Sequence, residues 1–220
     1  MLSGRHIERE LHRLNSPPIL SKRPMNFPSF RKTVPLLLIA LCGLLASCAP
    51  SFVTPVAQAN PNPLVGAKRF EVKPVKYVDL RVDGKSEEAY KAGIGADSWA
   101  DWDEDKRWIA KYFTDHVQSS AADGGVSATM GDSSAPFVIT PTVSMIDTGY
   151  YRIPAWNAVS RVNYNVVITD RSGRRIDHVE AVHGIPFDAM FAPSTSGRLQ
   201  KVAAMLGDAV GEYVVERTDG

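Results

Sequence analysis

The chain has 220 residues, of which 44% are hydrophobic and 22% charged, and its formal net charge at pH 7 is +1. Residues 1–47 hold seven of the 25 basic residues and two of the 24 acidic ones, so the remaining chain has 18 basic and 22 acidic residues and a formal net charge of −4. Nucleic-acid binding needs a basic surface, and this mildly acidic remainder argues against that class of partner.

The first 24 residues are polar and basic and are followed by a second methionine, Met25. Measured from Met25, Arg31 and Lys32 form the positive region of a signal peptide of ordinary length. Measured from the first residue, the same signal would be unusually long. We therefore predict that translation starts at Met25, that residues 1–24 are upstream sequence, and that residues 25–47 are a signal peptide.

An apolar run, Leu36 to Ala46, lies near the end of this signal. Its eleven residues are too few for a membrane-spanning helix, which needs about 20, but they suit the apolar core of a signal peptide, which has roughly 7 to 15. The run leads into Leu45-Ala46-Ser47-Cys48, and this ending resembles the lipobox of bacterial lipoprotein precursors. The resemblance implies that the first three residues fill the signal-peptidase pocket and that Cys48 becomes the lipidated first residue of the mature chain. The alternatives are an ordinary signal peptide and a buried helix that contains a cysteine by chance.

The chain has two cysteines, Cys42 and Cys48, and only Cys48 would remain in the mature protein. A single cysteine, itself occupied by lipid, excludes an intramolecular disulfide, a thiolate zinc site and a thiol nucleophile. The residue after it is Ala49 rather than aspartate. By resemblance to the sorting of Gram-negative lipoproteins, this implies the outer membrane, on its periplasmic face.

The segment after the cysteine is rich in proline, with four prolines between Ala49 and Gly66. Proline removes backbone donors and favours extended geometry. We therefore predict a disordered tether at residues 48–67, with a reach of about 25 Å if the chain is flexible. The alternative is a loop that packs on the domain.

Six later segments have the periodicity of regular secondary structure. Alternating apolar and polar residues predict strands, and apolar residues at positions i, i+3, i+4 and i+7 predict helices. Asp101, with Glu104 three residues later, is a helix-capping pair at the start of the first helix. The predicted elements are, in chain order, a strand at Phe70–Val82, a helix at Asp101–Ser120, strands at Phe137–Asp147, Val159–Asp170 and Arg175–Gly184, and a helix at Ser196–Arg217.

The resulting order, β-α-β-β-β-α, predicts an α+β fold. Because each helix has one apolar stripe, each helix must cover a face of the sheet. The simplest arrangement is a two-layer sandwich with a mostly antiparallel four-stranded sheet and both helices on one face, in a single domain at residues 68–220.

This order of elements, behind a lipidated cysteine and a proline-rich segment, resembles small envelope accessory lipoproteins. They include the auxiliary lipoproteins of ABC transport systems and the lipoprotein activators of penicillin-binding proteins. The resemblance covers Phe70 to Arg217 as a pattern of elements. It implies a non-enzymatic accessory protein, and it carries over no functional residues.

The connection Thr148 to Asn157 lies between two predicted strands and is rich in aromatic residues. Aromatic side chains with an arginine are typical of the hot spots of protein interfaces. We therefore predict a partner-binding surface there, formed by Tyr150, Tyr151, Arg152 and Trp156. The alternative is that these side chains fold back on the domain as a small satellite core. A second long connection, Gly184 to Gly197, is a candidate to flank the first.

Three patterns suggest other chemistry, and each has a simpler interpretation. His178 and His183 lie in one predicted strand but on opposite faces, so they cannot bind one metal ion without a ligand from elsewhere, such as His116. The acids of Asp97 to Trp108 lack the glycine and the distal glutamate of a calcium loop and favour a helix start. A hydrolase would need a serine or aspartate beside His116 or His178, and the sequence has no G-x-S-x-G nucleophile elbow. We predict no metal and no cofactor.

These patterns together predict a lipid-anchored cell-envelope lipoprotein that acts as a non-enzymatic binding, accessory or scaffolding module for an envelope protein. The alternative is a carrier of a small ligand or lipid that serves a transport system, which needs an apolar cavity between the helices and the sheet. A hydrolase is a further alternative.

Overall fold

Eight strands and three α-helices make up the part of the chain that the computed structural model describes, namely residues 52–149, 159–186 and 194–220. The strands are β1 (Val53–Gln58), β2 (Arg69–Val72), β3 (Lys76–Val82), β4 (Lys85–Ser86), β5 (Ser127–Met130), β6 (Phe137–Asp147), β7 (Val159–Asp170) and β8 (Arg175–Pro186). The helices are α1 (Glu87–Ile94), α2 (Trp99–Asp123) and α3 (Thr195–Asp219).

All eight strands form one mixed sheet, in the order β1-β8-β7-β6-β2-β5. The four strands β6, β7, β8 and β1 are antiparallel neighbours. On the other side of β6, both β2 and β3 pair with it in parallel, β5 pairs with β2 in parallel, and β4 pairs with β3. Consecutive hairpins form β6, β7 and β8, whereas β1 joins β8 from a distant part of the chain and the parallel half needs the crossover through α2.

The predicted α+β class is confirmed, but the prediction of a mostly antiparallel four-stranded sheet is wrong. The single strand predicted at Phe70–Val82 is two strands, separated around Pro74, which has no backbone N–H to donate. Both parts pair with β6, because Phe70 lies opposite Phe137 and Tyr77 lies opposite Val143. The additional strands β1, β4 and β5 are two to six residues long, too short for alternation to reveal them.

The prediction of a disordered tether at residues 48–67 is also wrong from Phe52 onwards. Strand β1 pairs with β8, with Val53 opposite Ala181, and Leu64 is fully buried in the core. The side chain of Asn62 donates to the carbonyl of Arg217 and accepts from the amide of Leu64, so this segment is fixed to the end of α3. Pro55 is compatible with its place in β1 because β1 is an edge strand, which tolerates a missing donor. The domain therefore includes the segment from Phe52 onwards, which the prediction placed in the tether.

The two long helices α2 and α3 contact the same face of the sheet. The ring of Phe113 in α2 stacks on Tyr164 in β7 at a centroid distance of 4.0 Å. The hydroxyl of Tyr213 in α3 donates to Asp177 in β8 at 2.7 Å. Tyr164 lies opposite Ala181, and Ala181 is four residues from Asp177 in β8, so the three side chains lie on the same face. Both contacts are therefore on one face of the sheet. Within the described ranges, no helix has both the length and the hydropathy that crossing a bilayer requires.

Helix α2 begins at Trp99, two residues before the capping residue predicted from the sequence. The acidic stretch at its start is helical, as the simpler interpretation predicted. Trp102 is buried and donates from its ring nitrogen to Glu87 at 2.9 Å, which attaches α1 to α2. Trp99 is 44% exposed, so only Trp102 anchors this end of the helix in the core.

Glycines bring α2 and α3 into close contact, and the two helices run in parallel. An added Cβ atom at Gly207 would lie 2.4 Å from the backbone oxygen of Phe113, and one at Gly211 would lie 2.6 Å from the Cβ atom of Ser120. The sequence analysis did not identify this pair of glycines. Two small residues four positions apart on a helix, G-x-x-x-G, are nevertheless a recognisable sign of close helix packing.

We expect Gly207→Ala to lower the free energy of unfolding by roughly 1–3 kcal/mol, because the methyl group forces the backbones of α2 and α3 apart. The matched control is Gly93→Ala in α1, where an added Cβ atom meets nothing within 4 Å. There the same change is expected to stabilise by about 0.5–1 kcal/mol through helix propensity. Urea unfolding measures both, and changes of the same sign in the two variants would contradict the packing argument.

Candidate functional site

All the site residues predicted from the sequence lie outside the described residues. They are the lipobox residues Leu45, Ala46, Ser47 and Cys48 and the predicted partner-binding residues Tyr150, Tyr151, Arg152 and Trp156. The structure instead describes the residues next to them in the chain. Phe52 follows the lipobox, Gly149 and Val159 bracket the aromatic connection, and Pro186 and Ser194 bracket the second connection.

These five bracketing residues lie at one end of the domain, which we name the loop end. At this end β6 finishes and β7 begins, and Asp147 is paired with Arg161. Strand β8 finishes at the same end, because Gly184 is paired with the same arginine. Strand β1 begins at the same end: the amide of Val182 donates to the carbonyl of Phe52, whose ring lies 4.0 Å from that of His183. The chain that comes from the predicted lipid anchor therefore enters the domain at its loop end. Both long connections leave the domain and return to it at the same end.

A buried polar network holds the loop end together. The carboxylate of Asp83 accepts from the amide and the hydroxyl of Thr148, at 2.8 and 2.7 Å. The hydroxyl of Ser160 donates to the carbonyl of Thr148 at 2.8 Å. Arg198 in turn donates from Nε to the hydroxyl of Ser160 at 2.8 Å. The network joins both ends of the aromatic connection to the first turn of α3, so that connection starts from a fixed base.

Arg198 is the central side chain of this network and is only 2% exposed. Its guanidinium also donates to the carbonyl of Gly149 at 3.3 Å and to the hydroxyl of Thr195 at 3.1 Å. The sequence analysis did not identify Arg198 as a buried residue. Its position four residues before Val202 and eight before Leu206, both of which are buried, was the available signal.

A second buried charge, Asp177, lies towards the opposite end of β8 and is fully buried. Its carboxylate accepts from the hydroxyl of Tyr213 and from Nε of Arg217, both at 2.7 Å, and from the amide of Ala59 at 3.3 Å. Burial, together with the hydrogen bond to Asp177, raises the pKa of Tyr213 to about 12. The sequence analysis did not single out Asp177. In the structure this carboxylate connects β8, α3 and the segment that follows β1.

The two histidines of β8 lie on opposite faces of the sheet, as predicted. His183 lies opposite Val162, which is buried under the helices, whereas His178 lies opposite Val167 on the other face. Across the described ranges, no group of three or more His, Cys, Asp or Glu side chains is arranged to hold a metal ion.

The third histidine of the domain, His116, contacts an aspartate. Its Nδ1 atom lies 2.9 Å from Oδ1 of Asp208 on the neighbouring helix, and the two side chains are 39% and 46% exposed. A serine nucleophile would have to bond the other ring nitrogen. The nearby Ser120 donates its hydroxyl to the backbone carbonyl of Asp208 at 2.9 Å instead. This geometry provides a surface hydrogen bond between helices rather than a nucleophile with its base.

The groove beside this pair, on the outer side of α2 and α3, is acidic. It is lined by Ser120, Asp123, Gly124, Asp208, Glu212, Val215 and Glu216. The space between the helices and the sheet is filled by side chains with no exposed surface, among them Phe70, Phe113, Ile139 and Tyr164. Neither feature supplies the apolar cavity that a lipid carrier needs.

No family model and no curated protein matches the chain. Several solved structures resemble it distantly, among them these three. A dodecameric variant of PelC from Paraburkholderia phytofirmans is 10% identical, covering 72% of this chain and 95% of that chain, with a TM-score of 0.40. The PelC dodecamer of the same organism in space group P6 is 9% identical over 72% and 95%, with a TM-score of 0.36. A Xanthomonas campestris protein assigned to the family model DUF330 is 8% identical over 73% and 90%, with a TM-score of 0.43. Likenesses this distant do not bear on function.

Proposed function

We propose that the mature protein is a lipid-anchored lipoprotein of the cell envelope that binds an envelope protein as a non-enzymatic accessory or scaffolding module. The observation that carries the proposal is the lipobox ending in Cys48, which is also the single cysteine of the mature chain. Ala49 assigns the protein to the periplasmic face of the outer membrane, by resemblance to the sorting of Gram-negative lipoproteins. Acyl chains on Cys48 contribute about 0.8 kcal/mol for each buried CH₂ group, which suits stable anchoring.

The short distance between the anchor and the domain supports a role at the membrane surface. Strand β1 begins at Val53, five positions after Cys48. Five extended residues span at most roughly 18 Å, so the domain stays beside the membrane and does not search a wide shell around its anchor. The partner in this proposal is therefore itself at the membrane surface.

The partner-binding surface in this proposal is the aromatic connection, with Tyr150, Tyr151, Arg152 and Trp156. Its support is the buried network of Thr148, Ser160 and Arg198, which fixes the chain on both sides of the connection. A connection with fixed ends loses less conformational entropy when it binds, which favours affinity. The two-layer arrangement proposed for the domain suits this role. Because both long helices cover one face of the sheet, the loop end stays available for the connection to meet a partner.

In-cell crosslinking of the intact lipoprotein, followed by identification of the captured protein, tests the proposal. We expect Trp156→Ala to weaken capture by roughly tenfold or more, as the loss of a hot-spot side chain does. The thermal midpoint is expected to stay within about 4 °C of the wild type.

The matched control for Trp156→Ala is Trp99→Ala, which removes an exposed tryptophan from the start of α2. This control is expected to capture the partner as the wild type does. A large loss of thermal stability in Trp156→Ala would place that side chain in a satellite core, and equal capture by all three proteins would contradict the proposed surface.

A further inference from the structure

We infer that the loop end of the domain faces the lipid surface to which Cys48 is attached, so that β7 and β8 run away from the membrane. This inference rests on the acylation of Cys48 in the proposed function. Its occupant is the headgroup layer of the lipid bilayer, and the partner of the proposed function meets the aromatic connection at the same membrane surface; a loop end covered by protein in place of lipid is an outcome that the experiment distinguishes.

The length of chain between the anchor and the domain is the first argument. Phe52 lies four positions after Cys48, and four extended residues span at most roughly 14 Å. Strand β7 has 12 residues, which extend over roughly 40 Å. The loop end is therefore close to the acyl chains, whereas the far end of the strands lies well beyond the reach of this link.

The position of Phe52 is fixed, which is the second argument. Its carbonyl accepts from the amide of Val182 at 3.0 Å, and its ring packs on His183 with a centroid distance of 4.0 Å. Burial lowers the pKa of His183 and so favours its neutral form. The link from the lipid consequently joins the domain at a rigid, uncharged contact and not at a loose end.

The charges at the two ends of the domain differ, which is the third argument. At the loop end, β8 finishes in the uncharged residues Gly184, Ile185 and Pro186. Arg161 and Asp147 face each other across 3.7 Å beside them, and the carboxylate of Asp83 bonds Thr148. Uncharged side chains beside paired charges suit a surface that lies against the bilayer, because they bring no isolated charge near its hydrocarbon core.

The opposite end, which we name the turn end, is held by ion pairs. Arg171 in the turn between β7 and β8 pairs with Glu71 at 2.7 Å, and Arg69 pairs with Asp132 at 2.8 Å. Hydrogen bonds from Ser134 and Arg69 lower the pKa of Asp132 to about 2. Because these two arginines already have carboxylate partners, their own attraction to anionic headgroups is weakened.

The cysteine content of the mature chain makes the test simple, because acylation consumes Cys48 and an introduced cysteine is then the sole free thiol. Pro186→Cys marks the loop end. Ser133→Cys marks the turn end, because Arg171 donates to the backbone carbonyl of the neighbouring Asp132. Both positions are exposed. Each intact, acylated variant is labelled with a small fluorophore and inserted into phosphatidylethanolamine–phosphatidylglycerol vesicles that carry a nitroxide quencher on the headgroup.

We expect the label at position 186 to be quenched at least about threefold more strongly than the label at position 133, because roughly 40 Å of strand separates the two ends. Equal quenching, or stronger quenching at position 133, overturns the inference. A label at position 186 that is shielded from aqueous iodide but not quenched from the lipid shows a protein contact at the loop end and also overturns it. Thr54→Cys, exposed near the start of β1, repeats the measurement if Pro186→Cys unfolds.

The mass of the N-terminal peptide separates this inference from the proposed function. An unacylated peptide overturns both, because the anchor on which the orientation depends is then missing. An acylated peptide with equal quenching of the two labels overturns the orientation alone and leaves the proposed function standing.

Discussion

Cys48→Ser is expected to abolish acylation and to release the protein from the membrane fraction almost completely. The hydroxyl of serine does not accept the diacylglyceryl group, and loss of the acyl chains removes about 0.8 kcal/mol of membrane affinity for every CH₂ group that they bury. No helix in the described part of the chain provides an alternative membrane span. Palmitate labelling in cells and sedimentation of membranes measure the two effects.

Cys42→Ser is the matched control for this prediction, because Cys42 lies in the predicted signal peptide, which in this proposal is absent from the mature chain. This variant is expected to be acylated and to sediment like the wild type. If Cys48→Ser still sedimented fully with membranes, or if the wild type carried no lipid, the proposed location and the partner hypothesis that depends on it would both be wrong.

Asp177→Ala is expected to lower the free energy of unfolding by roughly 3–5 kcal/mol, as the removal of one partner from a buried ion pair does. The carboxylate is fully buried, and the side chain of its partner Arg217 is only 17% exposed. The substitution leaves the guanidinium of Arg217 and the hydroxyl of Tyr213 in the interior without their acceptor. Urea unfolding measures the loss.

Two further variants separate the buried ion pair from simple loss of packing. Glu180→Ala, three residues further along β8 and on the opposite face, is expected to cost less than about 1 kcal/mol. Arg217→Met combined with Asp177→Ala is expected to lower the free energy of unfolding by less than the sum of the two single losses. The reason is that the interaction between the two side chains can be lost only once. Additive losses would show that the two side chains do not act as a pair.

The same substitution is expected to loosen strand β1. Asp177 accepts from the amide of Ala59, and Gln58 donates to the hydroxyl of Tyr213 that Asp177 orients. These bonds hold the C-terminal end of β1 against β8 and α3. Hydrogen exchange in β1 is therefore expected to rise more than exchange in β7, which is paired on both sides.

The long elements were predictable because their periodicity extends over many residues. The bounds of β6 and β7 agree with the predicted Phe137–Asp147 and Val159–Asp170, and the predicted helix at Ser196–Arg217 agrees with α3 to within two residues at each end. Strand β1 was missed because most of its residues are exposed, so no alternation of apolar and polar residues marks it.

Buried charges were the other feature that the sequence did not reveal. Arg198 and Asp177 have the residue types of surface positions, and both are buried because partners distant in the sequence accept or donate their hydrogen bonds. Ser160 lies 38 positions from Arg198, and Arg217 lies 40 positions from Asp177. Such pairs are invisible to a local pattern, and only the folded chain brings their members together.

The sequence by itself determined the α+β class and the longest strands and helices, because each of these depends on local composition or periodicity. The prediction that Cys48 is acylated also comes from the sequence alone and stays a prediction. The tertiary structure decided that the segment after the lipobox joins the sheet, that parallel strands extend the sheet beyond β6, and that both long connections leave the domain where β1 begins. These features depend on pairing between segments far apart in the chain, and the free energy of that pairing comes from burial and hydrogen bonds that exist only after folding.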